Sequence, residues 1–248
     1  MLKVLINGIN GRMGKEVLKA INNSNDFEIC CGVDKIPSNI SFPIYSDTKL
    51  IKENPDVIID FSIPEATSKI LDYAKAHSIP VVIATTGFSN NELELIKNYS
   101  KDIPIFKSGN MSYEINLLSN IIAKLAIQLS NSDIEIIETH HRNKIDSPSG
   151  TALMLADSIN EAYNNEMNYE YNRHDKREIR PKNEIGIHSI RGGTEIGKHT
   201  VMFLGENESL EITHTVTSRN IFANGALKAA KFLIKQKNGL YDMKNLFD

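Results

Sequence analysis

The chain has only two cysteines among its 248 residues, Cys30 and Cys31, and they are neighbours. Adjacent cysteines rarely bridge each other, and no spaced set suggests a disulfide framework or a metal. They read as small buried hydrophobes in a reducing cytoplasm. Long apolar runs are missing too. None approaches the roughly 20 residues that span a bilayer, so no membrane partner is expected. The stretch Met1-Leu2-Lys3-Val4-Leu5-Ile6 runs into a glycine motif and lacks the layout of a signal peptide. Surplus positive charge is absent as well: Lys+Arg 28 against Asp+Glu 31 gives a net charge of −3. That argues against a general nucleic-acid binder, for which a basic balance is expected. An acidic substrate stays compatible, because local charge matters more than the net. There are no internal repeats and no low-complexity tract. What remains is an ordinary soluble composition, 41% apolar and 24% charged, in a length that allows one large or two modest domains.

The first hundred residues alternate strand and helix signals. Strands are expected at Lys3–Asn7, Glu28–Val33, Val57–Phe61, Val81–Ala84 and Ile103–Lys107. Helices are expected at Met13–Asn22, Pro64–His77 and Asn90–Tyr99. Such alternation predicts a doubly wound parallel sheet of the α/β class. Near Gly109 the pattern changes. Ile115, Leu118, Ile122, Leu125 and Leu129 recur at helical spacing over Tyr113–Leu129. A helix over Ala152–Ala162 is followed by a polar stretch, Asn164–Asn183, which reads as a mobile connection. Strands return at Ile185–Arg191, Thr200–Leu204 and Ser209–Val216, with a turn at Gly192-Gly193 and a last helix over Phe222–Lys235.

Gly8-Ile9-Asn10-Gly11-Arg12-Met13-Gly14 follows the first strand and opens the first helix. Glycines there allow a tight turn and let a pyrophosphate approach backbone N–H groups. The spacing is G-x-x-G-x-x-G rather than G-x-G-x-x-G, and a plain strand–helix turn could carry the same glycines. Asp34 lies twenty residues beyond Gly14 at the end of the second strand, where an acid binds the ribose hydroxyls of NAD. Lys35 and Arg12 could instead neutralise a 2′-phosphate, so use of both NADH and NADPH is expected. Ala84-Thr85-Thr86-Gly87 and Ser108-Gly109-Asn110-Met111 end two further strands of the same sheet. Small residues there would let a cofactor lie against the backbone, although ordinary loops have this composition too.

The most informative run is Glu138-Thr139-His140-His141-Arg142-Asn143-Lys144-Ile145-Asp146-Ser147-Pro148-Ser149-Gly150-Thr151. A strand end, a cationic loop and a fresh helix start together make an anion site. Histidine beside lysine adds proton donors near neutral pH.

With these residues in view, the chain resembles the 4-hydroxy-tetrahydrodipicolinate reductase (dihydrodipicolinate reductase) family over essentially its whole length. The resemblance is carried by GINGRMG (Gly8–Gly14), ATTG (Ala84–Gly87), NMSYEIN (Asn110–Asn116) and EIIETHHRNKIDSPSGT (Glu135–Thr151). IHSIRGG (Ile187–Gly193) and LEITHTVTSRNIFANG (Leu210–Gly225) continue it. Tyr113 and Glu114 depart from the family, which often has an aliphatic and a small residue there. The resemblance implies a Rossmann-type domain over 1–110, completed by a C-terminal helix in 222–248. It also implies a smaller α+β domain over 111–221 for substrate binding and tetramer contacts. It implies reduction of a cyclic imine dicarboxylate by NADH or NADPH, with loss of water, in the diaminopimelate route of lysine biosynthesis. By motif position, His140 would donate or relay a proton and Lys144 would assist. His141 would bind substrate, and Gly150 and Thr151 would offer helix-start donors to a carboxylate. Gly8 to Met13, Asp34, Lys35, Ala84 to Thr86 and Ser108 to Met111 would hold the cofactor, and nothing calls for a metal. Two alternatives are a reductase of another cyclic imine acid and a non-enzymatic NAD(P)-binding regulator.

Overall fold

A computed structural model describes residues 1–39 and 41–247. The chain opens with β1 (Leu2–Asn7), α1 (Arg12–Asn22), β2 (Phe27–Val33) and the short β3 (Ser38–Asn39) and β4 (Pro43–Tyr45). It continues with β5 (Val57–Asp60), α2 (Pro64–His77), β6 (Val81–Ile83), α3 (Asn90–Tyr99) and β7 (Pro104–Lys107). Next come α4 (Tyr113–Gln128), β8 (Asp133–His140), α5 (Gly150–Ala162), β9 (Asn168–Glu170), β10 (Glu184–Arg191), β11 (Gly197–Leu204) and β12 (Ser209–Val216). It closes with α6 (Asn220–Leu233) and β13 (Gly239–Tyr241). Two compact units result: Met1–Tyr113 joined by the segment from Arg219 onward, and Glu114–Ser218.

The first unit is built on one sheet of order β13-β7-β6-β5-β1-β2-β4-β3, parallel throughout except for the β3 edge. Val4, Leu5 and Ile6 of β1 and Val57, Ile58 and Ile59 of β5 are all fully buried. A strand with no polar face must be covered on both sides, and helices do this. Val17 and Ile21 of α1 and Ala226 and Ala230 of α6 pack with Val4, Ile6 and Ile59 on one face. Ile70 and Leu71 of α2 and Ile96 of α3 pack with Leu5 and Ile58 on the other. The β1–β2 register slips between Val4 and Leu5, leaving Cys30 as the extra residue of a bulge. Cys31 is buried as its composition predicts, whereas Cys30 is half-buried.

The second unit is a mixed sheet of order β12-β11-β8-β10-β9. The parallel strands β8, β10 and β9 adjoin the antiparallel β11 and β12. Its inner face carries Ile134, Ile136, Ile185, Ile187, Val201 and Phe203 under Ile115, Leu118 and Ile122 of α4 and Leu155, Ala156 and Ile159 of α5. In β8 alternate side chains turn inward, so Ile134, Ile136, Glu138 and His140 line one face in that order. The same face is therefore apolar at one end and polar at the other.

Three expectations need correction. The stretch 164–183 is not a plain connection. It holds β9, which adds to the sheet beside β10, and Arg173 and Arg180, which ion-pair with Glu184, Asp133 and Glu135. These long-range pairings are invisible to a composition reading. β11 begins at Gly197 rather than Thr200, because Lys198 and His199 pair with Thr139 and Glu138 of β8. The C-terminal return is also more than a helix. α6 stops at Leu233 and β13 then extends the first sheet beside β7.

Candidate active site

Gly8 to Gly11 make the whole turn between β1 and α1. Gly8 has φ +80°, and a Cβ there would stand 2.7 Å from the Phe61 carbonyl oxygen. A Cβ on Gly14 would stand 2.3 Å from the Gly8 carbonyl oxygen. Backbone cannot retreat from either contact, so both glycines are steric requirements of the turn. Gly11 precedes α1 with no side-chain cap, and no acidic residue lies in the first turn. The helix start therefore presents N–H donors and a positive dipole end to an outside anion. The Asp34 carboxylate accepts from the Asn10 and Lys35 amides, each at 2.8 Å, which ties the β2 end to the glycine turn. A cavity of about 1020 Å³ opens here, bordered by Gly8, Gly11, Asp34, Lys35, Lys49 and Lys69.

Not every residue that the sequence groups with this cavity can use its side chain there. Ile9 and Met111 are buried among core residues. The Thr85 hydroxyl donates to buried Asp60 and accepts from the Ser62 amide. Each of these three can offer backbone only. Arg12, Thr86 and Gly109 are exposed, and Met13, Ala84, Ser108 and Asn110 are half-buried. Ser108 and Asn110 brace their own loop, since the Ser108 hydroxyl donates to the Asn110 carbonyl and accepts from the Asn110 amide. Asp60 itself carries no sequence signal, yet it accepts from Asn7, Ser62, Thr67 and Thr85 at the strand ends. Burial pushes its pKa up, against those four hydrogen bonds. Tyr113, one of the family departures, has the Lys228 ammonium 4.1 Å from its ring centroid and the Phe247 ring at 5.0 Å.

The polar end of the second sheet is centred on Glu138, which is fully buried. Its Oε1 accepts from Arg191 Nη2 at 2.6 Å and the Ser149 amide at 3.1 Å. Its Oε2 accepts from Arg191 Nη1 at 2.8 Å and contacts His140 Nδ1 at 2.5 Å. Burial alone would raise this carboxyl, but the Arg191, Ser189 and His140 hydrogen bonds hold its pKa at about 2. Burial pushes the His140 imidazole below its usual value. Glu138 opposes that shift, while the Lys144 and Arg191 charges reinforce it. His199 is buried 5.1 Å from the His140 ring, and its Nε2 bonds the Ser149 hydroxyl at 3.0 Å. Burial brings its pKa down to about 4.

Ser149 is the N-cap of α5, and its hydroxyl accepts from the Ala152 amide. Gly150 follows, exposed, with nothing within 4 Å of where a Cβ would lie, and Thr151 is half-buried beside it. Lys144 pairs with Asp146 at 2.8 Å. The His141 amide donates to the Glu195 carbonyl, and its Nδ1 is buried without a hydrogen-bond partner among the described residues. His140, Lys144, Gly150 and Thr151 thus surround one sheet end. Glu138, Ser149, Arg191 and His199 are the members that the sequence reading left without roles. Glu138 and Ser149 lie inside the HHR run, but their burial is set by β10 and β11, far along the chain.

The family model described as dihydrodipicolinate reductase, N-terminus, matches residues 2–111, and the corresponding C-terminus model matches residues 114–247. A 4-hydroxy-tetrahydrodipicolinate reductase of Caldanaerobacter subterraneus subsp. tengcongensis is 51% identical over 99% of this chain and 98% of its own. One from Brachyspira hyodysenteriae is 44% identical, covering 99% of both chains. A dipicolinate-bound dihydrodipicolinate reductase from Paenisporosarcina sp. TG-14 superposes with a TM-score of 0.82 at 24% identity, over 99% of each chain.

Proposed function

The chain belongs to the dihydrodipicolinate reductase family, and we propose that it reduces 4-hydroxy-tetrahydrodipicolinate to tetrahydrodipicolinate with NADH or NADPH, releasing water. The place of that reaction is the diaminopimelate route of lysine biosynthesis, in the cytoplasm. The observation that carries the reading is the convergence on one sheet end of a buried imidazole, a lysine and the start of α5. A dianionic ring needs separated cationic and N–H anchors, and a proton donor beside them.

The uncapped start of α1 fits a dinucleotide pyrophosphate, with Asp34 at the ribose and Lys35 on the cavity wall near a 2′-phosphate; Arg12, exposed at the helix start, is the second cation for that phosphate. Asp34 and Lys35 pull in opposite directions, which supports use of both cofactors. The reduced nicotinamide supplies a hydride to C4 of the conjugated ring when bound. The protein does the rest. Gly150 and Thr151 take one substrate carboxylate at the helix start, and Lys144 with His141 takes the other side of the ring. Lys144 then exchanges its Asp146 partner for substrate. His140 delivers a proton to the enamine carbon that the hydride leaves behind.

The second unit also supports a homotetramer. Ile190 is exposed on the sheet face opposite α4 and α5, and half-buried Ile137, Met202 and Leu204 lie on the same face. Light scattering that gave a monomer at micromolar concentration would refute this. The reaction itself is tested by NADH and NADPH oxidation with enzymatically generated hydroxy-tetrahydrodipicolinate. Oxidation of neither cofactor would sink the assignment and return the chain to the regulator reading.

A further inference from the structure

We propose that Glu138 is the positioning residue of the proton donor: its buried carboxylate, clamped by Arg191, fixes the ring and tautomer of His140 and stabilises the imidazolium that reacts. This rests on the proposed reaction and deepens it. Two observations carry it. Each Glu138 oxygen holds one arm of Arg191 and one further partner. Oε1 takes Arg191 and the Ser149 amide, and Oε2 takes Arg191 and His140 Nδ1. A carboxylate filled in this way is ionised, so the hydrogen on the Glu138–His140 contact belongs to Nδ1. The other nitrogen is then the reactive one. A Cβ at Gly197 would stand 3.1 Å from His140 Nε2, so glycine there leaves that nitrogen open.

The remaining groups around the ring explain why a carboxylate is needed. Arg191 on β10 and Lys144 in the loop disfavour a second proton on His140, and His199 on β11, which burial keeps neutral, adds no opposing anion. Asp146 is engaged by Lys144, and Ser149 on α5 is neutral. Glu138 is therefore the anion that lets an imidazolium form in a buried, cationic setting once a dianionic substrate arrives. In the reactive step the Nε2–H bond breaks and a C–H bond forms at the enamine carbon. The imidazolium returns to neutral imidazole, and Glu138 stays ionised throughout. The oriented acid–base pair of serine hydrolases follows the same logic.

Two measurements test this, and they separate it from the reaction assignment. The first needs no substrate. Nitrogen-15 NMR of histidine-labelled wild-type protein at neutral pH should show His140 with hydrogen on Nδ1. A dominant Nε2–H tautomer overturns the proposal even if the enzyme is active. The second is kinetic. Glu138→Gln should lower kcat by about 10²–10⁴-fold while NADH affinity stays near wild type. A required general acid makes kcat fall as pH rises through its pKa. Loss of the Glu138 charge should move that alkaline fall to lower pH, and Glu138→Asp should restore part of it. A purely structural Glu138 would leave the limb in place. If Glu138→Gln does not fold, the tautomer measured on the wild-type protein alone decides the proposal. An unshifted alkaline limb in a folded variant overturns the proposal.

Discussion

The starts of α1 and α5 use the same backbone device and differ in everything around it. Both offer N–H donors and a positive dipole end. At α1 the N-cap is Gly11, which makes no side-chain cap, and the first turn carries no acidic residue. At α5 the N-cap is Ser149, whose hydroxyl is used by Ala152 and His199 and whose amide is used by Glu138. A bare first turn suits the proposed diphosphate, which would lie flat on the backbone. The ionisable groups around the second suit the proposed proton chemistry. A bare helix start only binds, whereas one tied to a buried carboxylate–histidine pair can also move a proton.

The largest expected effect breaks the second site alone. His140→Ala should lower kcat by about 10²–10⁴-fold, the usual range for a general acid, with NADH affinity unchanged. Equal turnover in the variant, measured by cofactor oxidation, would take His140 out of the mechanism. Gly14→Val should break the first site in the complementary way. A side chain there meets backbone at 2.3 Å, so NADH binding should be lost together with about 1–3 kcal/mol of stability. Calorimetric titration with NADH that gives normal affinity would contradict the steric argument.

Acid should weaken the second unit before it touches the first site. His199 has a folded pKa of about 4 against 6.5 for the free group. The unfolded chain thus binds the proton more readily between those values. The stabilisation is complete above pH 6.5 and is lost as pH falls toward 4, on the order of 3 kcal/mol in all. Urea unfolding across pH 7 to 4 should show this slope, and His199→Gln should flatten it. An equal slope in both proteins would assign the acid sensitivity elsewhere.

Gly150→Val sharpens the contrast with Gly14. The Cβ position at Gly150 is open, so melting temperature should hold. Substrate KM should rise roughly tenfold, since one carboxylate hydrogen bond is worth about 1.5 kcal/mol. A normal KM with a depressed melting temperature would reduce Gly150 to a turn former. The smallest effect is expected from Asp34→Ala. It should weaken NADH more than NADPH, by a few-fold, corresponding to about 1 kcal/mol for one ribose contact. Equal losses for both cofactors would remove the ribose role.

The two sites were unequally legible. The Gly8–Gly14 turn is local, and its steric demands lie within a few residues of one strand end and one helix start. The strand before it, the helix after it and Asp34 at the next strand end therefore marked it, where the spacing by itself did not. Local pattern also marked the buried strands β1 and β5, which are apolar without alternation, and α2 and α3, whose limits match their periodicity and caps. Some side chains that the motif swept in, such as Ile9 and Met111, face the core instead, because a strand–helix turn must also bury its neighbours.

The amino-acid sequence by itself determined the parallel first sheet, the glycine turn, the placement of α4 and α5, and the HHRNK loop as a cationic strand end. Tertiary structure alone decided that Glu138 is ionised, that Arg191 and His199 stand beside His140, and that Arg180 locks the stretch before β10. The physical reason is range. Helical and strand periodicity and turn sterics act over a few residues. The ionisation of Glu138 depends on burial and on a guanidinium 53 residues away along the chain, and only the pairing of β8 with β10 and β11 brings those groups within hydrogen-bonding distance.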